Sequence, residues 1–378
     1  MTPQSLLDPD VHVVAVRHHR HVAPLKRPFV TAARRTEAVH YVVAEVELAE
    51  GTVGQGSSAE TVAVTGESAE SIAACLAGPL RGALEGARGP LGDLGRRIGE
   101  AVPGSTSAKA ALDVALHDAA ARAARVPLVE LLGGTRCGTL TNDMTISLED
   151  PEVMAGHARD AVAAGEQILK IKLGRDIDED RRRLAAVLEA APGVSLRLDA
   201  NQGWEAREAI SIINGFERDG LPIELVEQPV PAADLEGLAR VRAEVATPVM
   251  ADEAVWNAQD ARRIVEAGAA DLLNIKLAKT GGLREALAVA DVALEAGIAC
   301  MVGSMMEPRI SITAAAHLAF AHPAIALIDL DPPAWFTSGA PSGGYRQRGA
   351  ELELVGGPGL GLAMLDPMQD ADDAGGGR

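Results

Sequence analysis

Five charged residues recur at nearly even steps along the middle of the chain. Lys172 precedes Asp199 by 27 residues, Asp199 precedes Glu227 by 28, Glu227 precedes Asp252 by 25, and Asp252 precedes Lys276 by 24. Each stands at or near the end of a short strand-like run: QILKIKLG, LRLDANQGW, ELVEQP, VMADE and LLNIKLAKTGG. Three carboxylates brought together make a hard oxygen site of the kind Mg²⁺ takes, with positions left for water and substrate oxygens. Without a cation they would repel one another; the alternative is that each pairs with a local base such as Arg197. Lysines on two sides of a metal-held carboxylate suit the removal and return of a proton α to that carboxylate.

Lys170 accompanies Lys172 on one strand face, about 6.6 Å away at the rise of a β-strand. At an effective dielectric of ~20, charging both costs about 2.5 kcal/mol. That repulsion pushes the pair toward a neutral, basic amine, the form a general base needs.

Such residues meet only if the runs that carry them are parallel strands with helices between. A βα unit needs about this length. The rhythm extends backward to NDMTISL (142–148), with Thr145 at its centre. It extends forward to CMVGSMME, around Ser304, and to IALIDLD, ending at Asp329 and Asp331. In a (β/α) barrel the C-terminal strand ends form one mouth, where the chemistry is done. Residues 11–60 read instead as an antiparallel meander: VHVVAV, HYVVAEVEL and TVGQGS, with an irregular basic segment, RPFVTAARRTEA, at 27–38. The HHRH tract (18–21) reads as surface rather than a metal site. Helices broken by Gly and Pro fill 67–101, and Ser107 is positioned to cap a helix over 107–126. We therefore expect an α+β capping domain over 1–133 and a barrel over 134–331. A segment over 332–378 should pack back on the cap and end in a disordered acidic tail.

The net charge of −18 argues against nucleic acid or an anionic membrane as partner. Three widely spaced cysteines suggest neither a disulfide framework nor a zinc site, and no signal peptide or membrane span is apparent. A cytoplasmic location is the expectation.

The set LKIKLG, LDANQGW, VEQPV, ADE and NIKLAKTGG resembles the muconate-lactonizing subgroup of the enolase superfamily, across essentially the whole chain. Sites of that superfamily are known to use a Lys or His base with Mg²⁺. The resemblance implies a (β/α)7β TIM-like barrel with an N-terminal cap completed by the C-terminal segment. It also implies one Mg²⁺ per subunit on Asp199, Glu227 and Asp252, with Lys172 and Lys276 as the two bases and Lys170 beside them. Within the subgroup, DLD (Asp329, Asp331) is similar to the Asp-x-Asp motif with which dipeptide epimerases bind a substrate ammonium. A carboxylate pair suits a free α-amino group and not an acyl amide. MVGSMMEPRISITAAAH (301–317) is similar to the seventh-strand region of L-Ala-D/L-Glu epimerases. Arg34 matches an arginine that meets the substrate's glutamate carboxylate in those enzymes. GQGSS (54–58) departs from the Gly-x-Gly-Glu of related sequences. Thr145 and Ser304 complete the expected substrate contacts.

The expectation is thus a Mg²⁺-dependent dipeptide epimerase of murein peptide metabolism, acting on a small dipeptide and forming a homo-oligomer. The rivals are an o-succinylbenzoate synthase or other lyase, an N-acylamino acid racemase, and a catalytically silent peptide-binding homologue.

Overall fold

Strand β1 (Asp10–Val30) buries Val11, Val13 and Val16, the alternation shifting at a register break after Val13, and pairs antiparallel with β2 (Arg35–Leu48). With β3 (Val53–Ala59) and β4 (Arg88–Pro90) they form a sheet in the order β3-β2-β1-β4. The computed structural model describes residues 7–30, 35–135, 137–174, 176–337 and 341–366. The segment 27–38, expected to be irregular, is strand wherever it is described. Phe29 pairs with Thr36 after a register shift. The extension rests on distant contacts: Leu25 bridges to Phe336, and Phe29 meets Trp335 edge-on at 5.2 Å. His21 also differs from the surface reading of HHRH, being buried and stacked on Tyr41 at 5.1 Å.

The helix Thr106–Ala124 lies across β3. Gly54 and Gly56 permit that approach: a Cβ on either would stand 2.1 Å from the helix backbone. Ser107 does not cap this helix; it lies inside the first turn, after Ser105. The carboxylate of Glu67 serves instead, accepting from Ser107 N at 2.8 Å and Ala108 N at 3.2 Å. A buried anion satisfies the orphan N–H groups better than a hydroxyl.

After β5 (Leu140–Thr141) come the eight strands of the barrel: β6 (Met144–Ile146), β7 (Ile168–Lys172), β8 (Ser195–Asp199), β9 (Ile223–Glu227), β10 (Val249–Ala251), β11 (Leu272–Ile275), β12 (Ala299–Val302) and β13 (Ile325–Ile328). They form one parallel sheet in chain order, with helices in every connection. Several of these helices start on a side-chain cap, Asp176, Asp234 and Asn257 among them. Side chains bridge the seam between β6 and β13. Leu330 N donates to Asn142 Oδ1 at 2.8 Å, and Thr145 N donates to Asp331 Oδ2 at 2.9 Å.

Strand β14 (Tyr345–Arg348) pairs with β15 (Glu351–Leu354), and β15 pairs with β5. The chain then returns to the cap: Leu360 N donates to Asp118, and Leu365 exchanges two hydrogen bonds with the Gln55 amide. The tail from 367 lies outside the described residues. Among the described residues no helix is long and apolar enough to cross a membrane.

Candidate active site

Register places the candidate residues side by side. Lys172 pairs with Asp199, Asp199 with Glu227, and Glu227 with Met250, two residues before Asp252. Because side chains alternate along a strand, Lys170 and Arg197 form a layer beneath Lys172 and Asp199 on the same face. A cavity of about 720 Å³ opens above them, lined by Lys170, Lys172, Asp252, Lys276, Asp329 and Asp331. Thr145 and Ser304 line it as well. β7 and β11 are four places apart in the eight-stranded sheet, so Lys172 and Lys276 enter from opposite sides.

The carboxylates and lysines interleave. Lys172 Nζ lies 2.5 Å from Asp199 Oδ2. Lys276 Nζ lies 2.7 Å from Asp252 Oδ2 and 3.7 Å from Glu227 Oε1. Lys170 Nζ lies 2.6 Å from Glu227 Oε2, 2.7 Å from Asp329 Oδ2 and 3.4 Å from Asp199 Oδ2. This corrects the expectation that repulsion makes Lys170 a neutral amine. Burial does disfavour its charge, but Asp329, Glu227 and Asp199 outweigh burial and hold it well above the ordinary lysine range. Lys170 is a buried ammonium that ties three carboxylates together.

Burial disfavours the charge on Asp252, yet Lys276 and Lys279 pull its carboxyl well below the usual range. Burial and the Asp199 charge push Glu227 up. On the closing strand the two aspartates part company. Against burial, Lys170 holds Asp329 down to about 2, whereas burial and the Asp329 charge push Asp331 up to about 6. Asp331 accepts from Thr145 N and, at 3.0 Å, from Trp335 Nε1. Ser304 Oγ donates to the Asp329 carbonyl.

The donor chemistry of Asp199, Glu227 and Asp252 fits a hard divalent ion: three buried carboxylates on neighbouring strand ends, with mutual repulsion visible at Glu227. Among the described residues no three such groups already converge as a ligand cluster; each carboxylate is engaged by a lysine. Arg197 does not neutralise them, for it pairs with Asp143 at 2.8 Å and Glu224 at 3.1 Å.

Reading the strand ends missed several residues. Lys279, one helical turn beyond Lys276, is fully buried and donates to Asp252 Oδ1 at 2.6 Å, to the Asp252 carbonyl and to Asn274 O. Asn274 Nδ2 donates to Glu227 Oε1 at 2.9 Å. Glu253 lines the cavity, its carboxyl pushed up to about 7 by burial and by Asp252. Lys279 stands in the LAKTGG run, and its helical spacing from Lys276 was the available signal. Arg34 lies outside the described residues; its neighbour Arg35 is exposed and pairs with Glu37.

Two family models cover most of the chain. "Mandelate racemase / muconate lactonizing enzyme, N-terminal domain" matches residues 13–133, and "Enolase C-terminal domain-like" matches 153–368. The chain is 43% identical to an L-Ala-D/L-Glu epimerase of Clostridium acetobutylicum, over 91% of this chain and 96% of that protein. Its fold is similar to the substrate-liganded L-Ala-D/L-Glu epimerase of Bacillus subtilis, with a TM-score of 0.90 and 38% identity over 94% and 99% of the two chains. It is likewise similar to a dipeptide epimerase of Enterococcus faecalis complexed with Mg and L-Leu-L-Tyr, with a TM-score of 0.87 and 36% identity over 93% and 100%. These relatives are isomerases.

Proposed function

The chain belongs to the mandelate racemase/muconate lactonizing enzyme family of the enolase superfamily, and from that premise we propose that it is a Mg²⁺-dependent dipeptide epimerase, most closely an L-Ala-D/L-Glu epimerase. The observation that carries this reading is the composition of the cavity lining. Lys172 and Lys276, from strands four places apart, line the cavity together with Asp331, a carboxylate with no lysine within ion-pair distance among the described residues.

In this reading Asp199, Glu227 and Asp252 hold one Mg²⁺ per subunit. An ion bound there would supply a partner for the substrate's terminal carboxylate and electrostatic stabilisation of the charge developing on it. Lys172 takes the proton from Cα on one face and Lys276 returns one on the other, which inverts the centre. Lys276 Nζ lies 2.7 Å from Asp252 Oδ2, beside the carboxylates that would hold the ion. Lys170 does not exchange protons; it fixes Glu227 and Asp329. Asp331 receives the ammonium of the first residue, with Thr145 and Ser304 bounding that end. Arg34, by its place in the sequence, reads the side-chain carboxylate of the second residue.

The test is incubation of a dipeptide library in D₂O with mass-spectrometric detection of α-deuterium. L-Ala-L-Glu should gain one deuteron at the glutamate Cα and yield the L,D product. Exchange of N-acyl amino acids as fast as dipeptides would defeat the epimerase reading.

A further inference from the structure

Three non-glycine residues close to the metal-site carboxylates have left-handed backbones: Asn201 (φ 44°), Gln202 (φ 64°) and Gln228 (φ 36°). Such conformations are unfavourable for L-residues and persist where surrounding bonds over-determine them. Gln228 is fully buried and follows Glu227 directly. Its backbone N donates to Met250 O at 2.8 Å, and its carbonyl accepts from Gln202 N at 2.8 Å. Its side-chain Oε1 accepts from Asp252 N at 2.9 Å and Ala254 N at 3.1 Å, and its Nε2 donates to Val230 O at 3.0 Å. One residue is therefore bonded to the loop that follows Asp199, is joined covalently to Glu227, and braces the backbone of Asp252.

We infer that Gln228 is a positioning residue that sets the spacing of the three carboxylates and thereby the affinity of the site for a divalent cation; the inference rests on the metal reading above. The reversed backbone lets Glu227 point into the barrel while the next side chain crosses to the end of β10. Its amide oxygen thereby reaches the N–H of the ligand Asp252 and that of Ala254, two residues on. Groups that orient metal ligands typically alter affinity ten- to a hundredfold when removed.

The experiment is calorimetric titration of the full chain with MgCl₂, alongside far-UV circular dichroism. Gln228→Leu removes the acceptor at similar size, and Gln228→Asn tolerates the left-handed backbone but is too short to reach both N–H groups. Either should bind Mg²⁺ at least about tenfold more weakly while keeping the wild-type spectrum. At saturating Mg²⁺ the loss in Gln228→Asn should fall on kcat more than on KM. Should Gln228→Leu fail to fold, Gln228→Asn decides the matter. Wild-type affinity in a folded Gln228→Asn overturns the inference. Absence of Mg²⁺ binding by the wild type overturns the metal reading and this inference with it.

Discussion

Asp329 Oδ2 lies 2.7 Å from Lys170 Nζ, joining the end of the last barrel strand to the second through a buried ion pair. The two residues are 159 positions apart in the chain. Their pairing divides the labour of the DLD motif: Asp329 neutralises a lysine, and in the function proposed above Asp331 takes the substrate ammonium.

Lys170 should therefore behave as a structural cation. Lys170→Met strands Glu227 and Asp329, and loss of one partner from a buried pair costs about 3–5 kcal/mol. Urea unfolding should register that loss, whereas Lys172→Ala, at the cavity surface, should lose much less. Equal stability of Lys170→Met and wild type would remove this assignment.

The two-base scheme makes a stereochemical prediction. Lys172→Ala should stop α-exchange from one epimer and Lys276→Ala from the other, each by ~10²–10⁴-fold. Epimer-resolved exchange in D₂O measures it. Identical residual exchange of both epimers in both variants would rule out opposed bases.

Chelation should abolish turnover, and Mg²⁺ should restore it. Full activity of a metal-free preparation, verified by elemental analysis, would refute the roles given to Asp199, Glu227 and Asp252.

The ammonium contact can be isolated by a double cycle. A charge-assisted bond is worth ~1.5–3 kcal/mol, or about ten- to 150-fold in kcat/KM. Asp331→Asn should lower turnover of L-Ala-L-Glu by that factor, and N-acetylation of the substrate should do the same to wild type. Together they should fall well short of the product, since both delete one interaction.

Asp331 also sets a pH dependence. With its carboxyl near 6, it becomes neutral as pH falls through that value and can no longer pair with an ammonium. The kcat/KM for a dipeptide should decline below about pH 6, and Asp331→Asn should lose that limb of the profile. Stability responds in the opposite sense. Between the ordinary carboxyl value and about 6, the folded state holds a proton that the unfolded state has released. This group's contribution to stability thus falls as pH rises through that window. A pH series of urea midpoints for wild type and Asp331→Asn checks the sign.

The barrel was legible because its signal is local and repeated. Each strand end carries its charged residue in an alternating or apolar run, and the intervals match one βα unit. Asp199, Glu227, Asp252, Lys172 and Lys276 could be singled out on that ground. The state of Lys170 could not, because the neighbours that decide it, Glu227 and Asp329, come from remote strands. Only Lys172 was visible beside it. Gln228 was hidden for another reason: a buried amide at positive φ leaves no period in the sequence. The helix cap escaped because Glu67 reaches Ser107 across 40 residues. The long hairpin was foreshortened because contacts with Trp335 and Phe336 hold its far end.

The seam of the barrel constrains how this protein could be re-engineered or could diverge. The Asp331 carboxylate that faces the cavity also receives the Thr145 N–H and the Trp335 indole. A lineage that abandoned substrates with a free amine could not simply trade this side chain for an apolar one. It would first need another acceptor for two buried donors, so a second substitution near Thr145 or Trp335 should precede or accompany any change at position 331. Libraries that randomise position 331 alone would then be poor in folded members, and those that vary 145, 331 and 335 together would not.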